Sequence, residues 1–351
     1  MEAFTPDQVR SMLQSAIQAP SADNHHPVRF QLDGSRILVH HTRTTWEQPG
    51  YQRVLDLLSL GALAENLVIA ASRYGARAEI NLLPDPDQPG LALSIDLQPD
   101  VAQSDPLWHE IPIRHTSRQF RFRGPPFDVA ERAQLDAITH AHPSCTLHWL
   151  ETAADRNPAL ALMRRAETER FRNRILHAEL FTAIRFDVGW RDTSETGLPP
   201  GALGVELPLR GLFAALRYWP VMRMANRFGA HHFLGLRSCD LPCRLAPNLG
   251  VLTVKKIDTP SVFDAGRAFQ RIWLTTTRLG RVLQPMPASA LYALDGADAA
   301  GIPKALQHGL AEGWKTRFGS GVPVMLFRTG RAQPPFVTAG RPAIDSFLKA
   351  F

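Results

Sequence analysis

The sequence is short of cysteine, of lysine and of long apolar runs. Three cysteines in 351 residues cannot build a disulfide framework, and they suit a reducing compartment. No uninterrupted apolar stretch reaches the roughly 20 residues that a membrane-spanning helix requires. The segment Met1–Pro6 lacks a basic stretch followed by an apolar core, which is the pattern of a secretory signal. We therefore expect a cytoplasmic protein without an integral membrane segment.

The charge balance favours anionic partners. The formal net charge is +6 and the pI is about 9.6, and arginine supplies most of the positive charge. Nucleic-acid binding calls for a long basic run interleaved with aromatics, and no basic run exceeds two or three residues. A cofactor that carries a phosphate accounts for the arginine bias at least as well, so nucleic acid is not expected as a partner.

Several common binding motifs are missing. No Gly-x-Gly-x-x-Gly follows a predicted strand and no Walker loop is present, so neither Rossmann nor P-loop binding is indicated. Neighbouring histidines on an extended chain point in opposite directions, and Cys239 and Cys243 lack a second pair of ligands at zinc spacing. No metal is expected, and the sequence leaves the role of the two cysteines open.

Hydrophobic periodicity predicts alternating helices and strands. Thr5, Pro6 and Asp7 form a helix N-terminus, and Asp33-Gly34 is a hairpin turn. The predicted helices begin at Pro6, Val54, Val129, Ala159, Leu207 and Asp264. The predicted strands are Val28–Leu32, Arg36–His40, Ala78–Leu82, Leu91–Ile95, Thr146–Leu150, Val251–Val254 and Pro323–Arg328.

Two segments of the chain resemble each other. Gly61–Gly75 aligns with Gly266–Gly280, with a glycine at each end, an arginine two residues before the closing glycine and a shared apolar register. Ala16-Ile17 with Pro20-Ser21 is echoed by Ala137-Ile138 with Pro143-Ser144. Any two amphipathic helices share a period, so chance similarity is the alternative explanation for each echo. Because both echoes occur in the same order, we predict two α+β halves packed as an intrachain pseudo-dimer.

The stretch Arg114–Phe120 places two guanidinium groups and two hydroxyls within five residues. Arginine is charged at neutral pH and donates in pairs, so Arg-x-Thr-Ser-Arg suits a phosphate or the edge of a flavin ring. A solvated basic linker between the two halves is the alternative.

Three stretches resemble motifs of the nitroreductase-like family. Ala19–Phe30 resembles the flavin loop Ala-Pro-Ser-x-x-Asn-x-Gln-Pro-Trp-x-Phe, and Arg114–Phe120 resembles Arg-Arg-Ser-x-Arg-x-Phe. Val324–Arg328 with Gly340-Arg341-Pro342 is similar to the closing strand and the arginine-proline segment. The order of the three matches the long, two-half branch of Acg-type flavin-binding proteins.

The resemblance implies a nitroreductase-like α+β fold and one FMN per chain. The residues that match the family's cofactor-binding positions are Arg114, Thr116, Arg118, Pro20, Ser21, Asn24, His26 and Arg341. His26 stands where glutamine is usual and Val28 where tryptophan is usual, so we expect the charge of His26 to make the site depend on pH. The sequence identifies no catalytic residue.

The predicted organisation is an N-terminal half, residues 1–104, and a C-terminal half, residues 105–351. A Gly/Pro-rich loop, Asp192–Gly204, and the broken apolar helix Leu207–Phe228 together form a candidate lid at 192–228. For the arginine-rich helix, contact with a membrane surface and simple core packing are the alternatives. The implied activity is FMN-dependent transfer of hydride from NAD(P)H to a small organic acceptor. A flavin-storage protein with little turnover and an enzyme acting on a modified peptide remain alternatives, and both a monomer and a homodimer are open.

Overall fold

The computed structural model describes residues 4–46, 48–101 and 103–348. The first three residues of the segment searched for a signal lie outside this range. The described chain contains helices and two antiparallel sheets, so the α+β prediction is confirmed at this level. The three cysteines are free and buried.

The first sheet and its helices come from the N-terminal third of the chain. The elements in chain order are α1 (Pro6–Ala16), β1 (Val28–Asp33), β2 (Arg36–His41), α2 (Tyr51–Ser72), β3 (Ala76–Leu82) and β4 (Leu91–Pro99). The strand order is β1-β2-β4-β3, and every neighbouring pair is antiparallel. Thr5 accepts from the amide of Gln8 while the Gln8 side chain accepts from Thr5, so a capping box starts α1 as predicted.

The second sheet and its helices follow. They are α3 (Val129–Ala141), β5 (Cys145–Trp149), α4 (Ala153–Arg172), α5 (Arg174–Thr182), α6 (Arg210–Leu216), α7 (Trp219–Asn226), α8 (Ala230–Gly235), α9 (Leu241–Arg244), β6 (Asn248–Val254), α10 (Thr259–Arg278), β7 (Val282–Pro285), α11 (Ala288–Leu291), α12 (Lys304–Phe318) and β8 (Val322–Gly330). The strand order β5-β6-β8-β7 is antiparallel throughout and repeats that of the first sheet. In both sheets a long helix, α2 or α10, connects the second strand in sequence to the third.

Helices α2 and α10 pack against each other at the centre of the molecule. A Cβ atom on Gly61 would lie 2.2 Å from the carbonyl oxygen of Phe263, and one on Gly266 would lie 2.4 Å from that of Leu58. Leu58 and Phe263 each stand three residues before the glycine of their own helix, so the contact is reciprocal. The two glycines that the sequence alignment paired therefore mark the point where the helices cross most closely.

Helix α2 is long and apolar enough to cross a membrane by length and composition alone, and it is largely buried inside the protein. Its buried Glu65 receives hydrogen bonds from Arg267 and Arg271 of α10, so the carboxylate is neutralised between the helices. These contacts make α2 a core helix.

Three predicted helices differ from the observed ones. The helix expected from Ala159 to Ile175 begins at Ala153, because Thr152 and Asp155 form a capping box, and it ends before Asn173, which caps α5. The helix expected over Leu207–Phe228 is divided into α6 and α7 by Arg217 and Tyr218, and Pro220 lies in the first turn of α7. The helix expected from Asp264 begins five residues earlier, at Thr259 behind the Asp258 cap.

Candidate functional site

Four segments that are far apart in sequence meet at the end of α1. They are the loop that follows this helix, the stretch Arg114–Arg118, the loop 193–204 and the tail 338–341. Arg341 donates to the carbonyls of Ile17 at 2.9 Å and Ala19 at 3.1 Å, and Arg114 donates to that of Gln18 at 2.7 Å. Guanidinium groups stabilise the carbonyls at a helix C-terminus, which carry the negative end of the helix dipole. The end of α1 thus brings two of the predicted arginines together.

Arg114 is buried, and Arg118 and Arg341 are half-buried. Arg114 is 8 % exposed and stacks 4.5 Å from the centre of the Trp273 ring. Burial and the neighbouring Arg341 lower the pKa of Arg114 to about 9, and burial lowers the pKa of Arg341 to about 10. The pKa of Arg118 is also lowered by burial, while Asp23 opposes the shift. No ion pair within salt-bridge distance joins these three arginines to a carboxylate among the described residues. The site is therefore a partly buried cluster of positive charge suited to an anion.

Asn24 is the hub of the loop after α1. Its amide nitrogen lies 3.1 Å from the carbonyl oxygen of Glu195, 3.2 Å from that of Gly197 and 3.3 Å from that of Gly340. Its side-chain oxygen accepts from Arg341 at 2.5 Å. One side chain therefore joins the loop after α1 to the loop 193–197 and to the tail.

The backbone of this loop is strained. Asp23, Asn24 and His26 have positive φ angles of 49°, 61° and 50°. Asp and Asn tolerate this left-handed region, whereas it is uncommon for histidine. Strain of this kind is concentrated in proteins at binding sites and switch regions, where surrounding contacts hold it.

Both ring nitrogens of His26 form hydrogen bonds within the chain. Its Nε2 lies 2.8 Å from the side-chain oxygen of Asn24, and its Nδ1 lies 3.2 Å from the hydroxyl of Ser21. Burial, together with Arg341, lowers the pKa of His26 to about 3. The ring is therefore neutral at physiological pH, with Nε2–H donating to Asn24 and Nδ1 accepting from Ser21. The charge of His26 therefore changes with pH only in the acid range, because the ring is desolvated beside cationic arginines.

The loop 192–204 spans the distance between Asn24 and Arg118. At its far end the guanidinium of Arg118 lies 3.5 Å from the carbonyl of Ala202. Gly204 has a φ of 69°, and a Cβ there would lie 2.2 Å from the carbonyl oxygen of Arg118, so only glycine fits this approach. The predicted loop thus contacts both halves of the motif set, and Arg118 and Asn24 are linked through it.

The other predicted residues are placed around this centre. Pro20 and Ser21 are half-buried and line a small cavity of about 20 Å³, which has room for about one water molecule. Thr116 pairs with Leu283 in an isolated bridge, and no recorded contact joins it to Asn24 or Arg341. The structure therefore brings seven of the eight predicted residues into one connected region and places Thr116 beside β7.

Sequence reasoning missed two contributors to the site, Trp273 and Arg328, and noted the hydroxyl of Ser117 without naming it as a cofactor residue. Trp273 of α10 stacks against Arg114. The sequence pattern indicated only an apolar core residue at this position. Ser117 has a fully buried hydroxyl without a hydrogen-bond partner in the described structure, as has the Nε of Arg114. The buried Arg328 of β8 donates to the carbonyls of Gln119 and Phe120 and so fixes the chain after Arg118. Arg328 was recognised only as part of the closing strand, and its partners are backbone carbonyls, which leave no sequence signal.

A larger cleft lies elsewhere. Its volume is about 730 Å³, and its walls come from the starts of α2 and α10, from α11 and α12, and from the start of β8. None of the predicted cofactor residues lines it. Within the described residues, no group of three or more His, Cys, Asp or Glu side chains is arranged to hold a metal ion.

Comparison with known proteins supports the resemblance read from the motifs. No family model matches the chain. Over 212 residues the chain is 28% identical to a Mycobacterium tuberculosis protein that carries the provisional name NAD(P)H nitroreductase acg, in both the CDC 1551 / Oshkosh and the H37Rv strains. The match covers 57% of this chain and 59% of the relative, so it spans little more than half of each protein. The similarity to Acg-type proteins is confirmed over that part.

Solved structures add little to this. A nitroreductase with bound FMN from Desulfitobacterium hafniense DCB-2 aligns with 70% of this chain at 16% identity and a TM-score of 0.37. The FMN-dependent nitroreductase NfnB of Mycobacterium smegmatis, in complex with NADPH, aligns with 68% of the chain at 14% identity and a TM-score of 0.33. Overlaps this low do not support any argument about this chain.

Proposed function

We propose that this chain is an FMN-dependent oxidoreductase of the nitroreductase type, which passes hydride from NAD(P)H to a small organic acceptor. The observation that carries the proposal is the cluster of the buried Arg114 and the half-buried Arg118 and Arg341, which have no carboxylate within salt-bridge distance among the described residues and lie in a region whose motif order resembles that family. The name of the curated relative supports the same activity.

The residues fit the phosphate end of FMN. A phosphate would neutralise the buried guanidinium groups, and charge-assisted hydrogen bonds from arginine to phosphate are among the strongest in proteins. The unpartnered Ser117 hydroxyl and Arg114 Nε are two further donors in the same region. FMN, when bound, supplies the hydride chemistry, and the protein groups hold and orient it. The side chains of Asn24 and His26 form their hydrogen bonds within the chain, so their role is to position the loop.

We further propose that the two halves, residues 1–104 and 105–351, form an intrachain pseudo-dimer with one FMN site. The identical strand order of the two sheets and the reciprocal approach of Gly61 and Gly266 support this arrangement. The site takes its loop from the first half and its arginines from the second. We therefore expect one equivalent of FMN per chain.

Flavin storage is the second candidate, and the contacts of Asn24 favour it. Asn24 holds the loop 193–197 against the loop after α1, and the adjoining cavity of about 20 Å³ is far too small for a flavin ring. The ring therefore enters only if the loop moves. We propose that residues 192–228 act as the lid, since Leu216 and Met222 pack in a separate small core with Phe171, Phe181 and Ile184. A lid that rarely opens makes a store, and one that opens in each cycle makes an enzyme.

Titration with FMN tests the site. We expect saturation at one equivalent, and we expect Arg114→Ala to weaken FMN binding at least ten-fold, because one charge-assisted hydrogen bond contributes roughly 1.5–3 kcal/mol. Arg281→Ala is the matched control, since Arg281 is also buried and lies 4.4 Å from the centre of an aromatic ring, that of Phe127. Equal FMN affinity in Arg114→Ala and the unaltered protein would refute the site.

Anaerobic mixing with NADPH or NADH separates the two candidates. An enzyme loses its flavin absorbance on mixing and regains it when an acceptor is added. A store keeps its absorbance, and replacing residues 207–228 with a short Gly/Ser linker releases its FMN faster.

A further inference from the structure

One short segment carries most of the exposed large apolar side chains of the described chain. Fifteen such side chains are recorded, and eight of them lie between Leu207 and Phe233. The eight are Leu207, Leu209, Leu212, Tyr218, Val221, Met224, Phe228 and Phe233, with exposures from 41 to 86 %. Scattered exposed apolar residues are ordinary, but a concentration in 27 residues marks an interaction surface.

The same segment carries most of the net charge. Leu207–Phe233 contains four arginines and no Asp or Glu, so its formal charge is +4 against +6 for the whole chain. The four have no carboxylate within salt-bridge distance among the described residues. Arg210 and Arg217 are half-buried and stack on aromatic rings, whereas Arg223 and Arg227 are exposed. The segment is therefore both apolar and strongly cationic.

Helices α6, α7 and α8 pack against the rest of the protein through one face, and the exposed apolar side chains lie on the other side. Leu216 of α6 and Met222 of α7 are buried in the small core that contains Phe171 and Phe181. Val221 and Met224 stand at i and i+3 of α7, so they share one face, and Phe228 follows in the turn after the helix; all three are exposed. The inner face is thus packed against the protein, whereas the outer apolar side chains remain exposed in the described chain.

The combination of exposed apolar side chains and exposed arginines distinguishes among possible binding partners. A second copy of the same surface would set the exposed Arg223 and Arg227 against the same two arginines, which opposes a symmetric dimer. Nucleic acid would use the arginines but would leave side chains such as Phe228 and Val221 without a partner. The surface of an anionic bilayer satisfies both, because phosphate headgroups pair with arginine and the acyl boundary accepts apolar side chains. The exposed Tyr218 directly precedes α7, and tyrosine favours the membrane interface.

We propose that the outer face of Leu207–Phe233 docks this protein on the surface of an anionic membrane. The contact is peripheral, with the three short helices lying in the interface, and it is independent of the oxidoreductase assignment.

Vesicle flotation tests the proposal. The full chain is mixed with phosphatidylcholine vesicles or with vesicles of phosphatidylcholine and phosphatidylglycerol at 7:3. We expect at least ten-fold stronger partitioning onto the anionic vesicles, and we expect it to weaken as salt is raised from about 50 to 500 mM. Equal binding to both compositions, or none to either, overturns the proposal.

Two comparisons between variants distinguish an effect of this surface from a general effect of net charge or of apolar side chains. Arg223→Glu with Arg227→Glu changes the net charge by as much as Lys255→Glu with Lys256→Glu, and only the first pair lies in the segment. We expect the first pair to lower partitioning at least 25-fold, since each basic residue near the surface contributes about five-fold. Phe228→Ser should lower it about ten-fold, whereas Phe336→Ser, equally exposed at 86 %, should not. Similar losses in both members of either comparison overturn the proposal.

Sedimentation equilibrium of the vesicle-free protein addresses the alternative occupant. A dimer that Phe228→Ser dissolves would assign the surface to a second copy and overturn the membrane proposal. Thermal unfolding at an unchanged temperature in every variant shows that the fold is intact, which is expected because the altered residues are exposed.

Discussion

The crossing of α2 and α10 gives the sharpest test of the architecture. Replacing Gly266 with alanine would place a Cβ 2.4 Å from the carbonyl oxygen of Leu58 and 2.8 Å from its Cα. Ordinary contact begins near 3.4 Å, so the helices would have to separate by about 1 Å. Both obstructing atoms belong to the backbone, so no rotamer change relieves the clash.

The expected change in the free energy of unfolding is the sum of two opposing effects. Overpacking that shifts the backbone destabilises a protein by roughly 1–3 kcal/mol, and this site belongs at the upper end because the strain falls on two central helices. Replacing a mid-helix glycine with alanine stabilises the helix by about 1 kcal/mol. We therefore expect Gly266→Ala to lower the free energy of unfolding by about 2 kcal/mol. Gly61→Ala should behave alike, because its Cβ would lie 2.2 Å from the carbonyl oxygen of Phe263.

The assay is urea unfolding at 25 °C, followed by far-UV circular dichroism and by tryptophan fluorescence, with agreement of the two probes as the test of a two-state transition. Gly211→Ala in α6 is the control, because nothing lies within 4 Å of its Cβ position. This control should be neutral or stabilise by up to about 1 kcal/mol. Once one alanine has separated the helices, the second meets less resistance, so the double variant should lose less than the sum of the single losses. Strict additivity, or single variants as stable as the control, would refute the reciprocal crossing.

Three further outcomes follow from the site. Because Arg114 has a pKa of about 9, FMN affinity should fall by up to ten-fold per pH unit between pH 9 and 10, and Arg114→Ala should flatten that profile. His26 has a folded pKa of about 3 against 6.5 when unfolded, so the unfolded chain binds a proton first and stability falls as the pH drops from 6.5 toward 3. His26→Gln should remove that part of the acid sensitivity, measured by thermal melts at pH 7 and 4.5. Asn24→Ala removes the donor shared by Glu195, Gly197 and Gly340, so amide hydrogen exchange should rise in residues 193–197, and unchanged exchange would show that Asn24 does not hold the loop.

Local signals in the sequence predicted much of the architecture. The cap at Thr5, the turn at Asp33-Gly34 and the end of α10 before Gly280 all appear as expected. Two observed features left no comparable signal. Strand β7 is only four residues long, and α12, from Lys304 to Phe318, begins after Pro303 without a side-chain cap. Elements of this kind form because they pack against β8 and α4.

The sequence by itself indicated most residues of the candidate site, since Ala19–Phe30, Arg114–Phe120 and Gly340–Pro342 are recognisable as contiguous motifs, but it did not indicate Trp273 or Arg328. Only the tertiary structure decided how those residues are used. Arg114 and Arg341 converge because both bind carbonyls at the end of α1, and His26 stays neutral because the fold buries it beside arginines. Backbone carbonyls, burial and neighbouring charge depend on segments brought together from distant parts of the chain, and no local pattern encodes them.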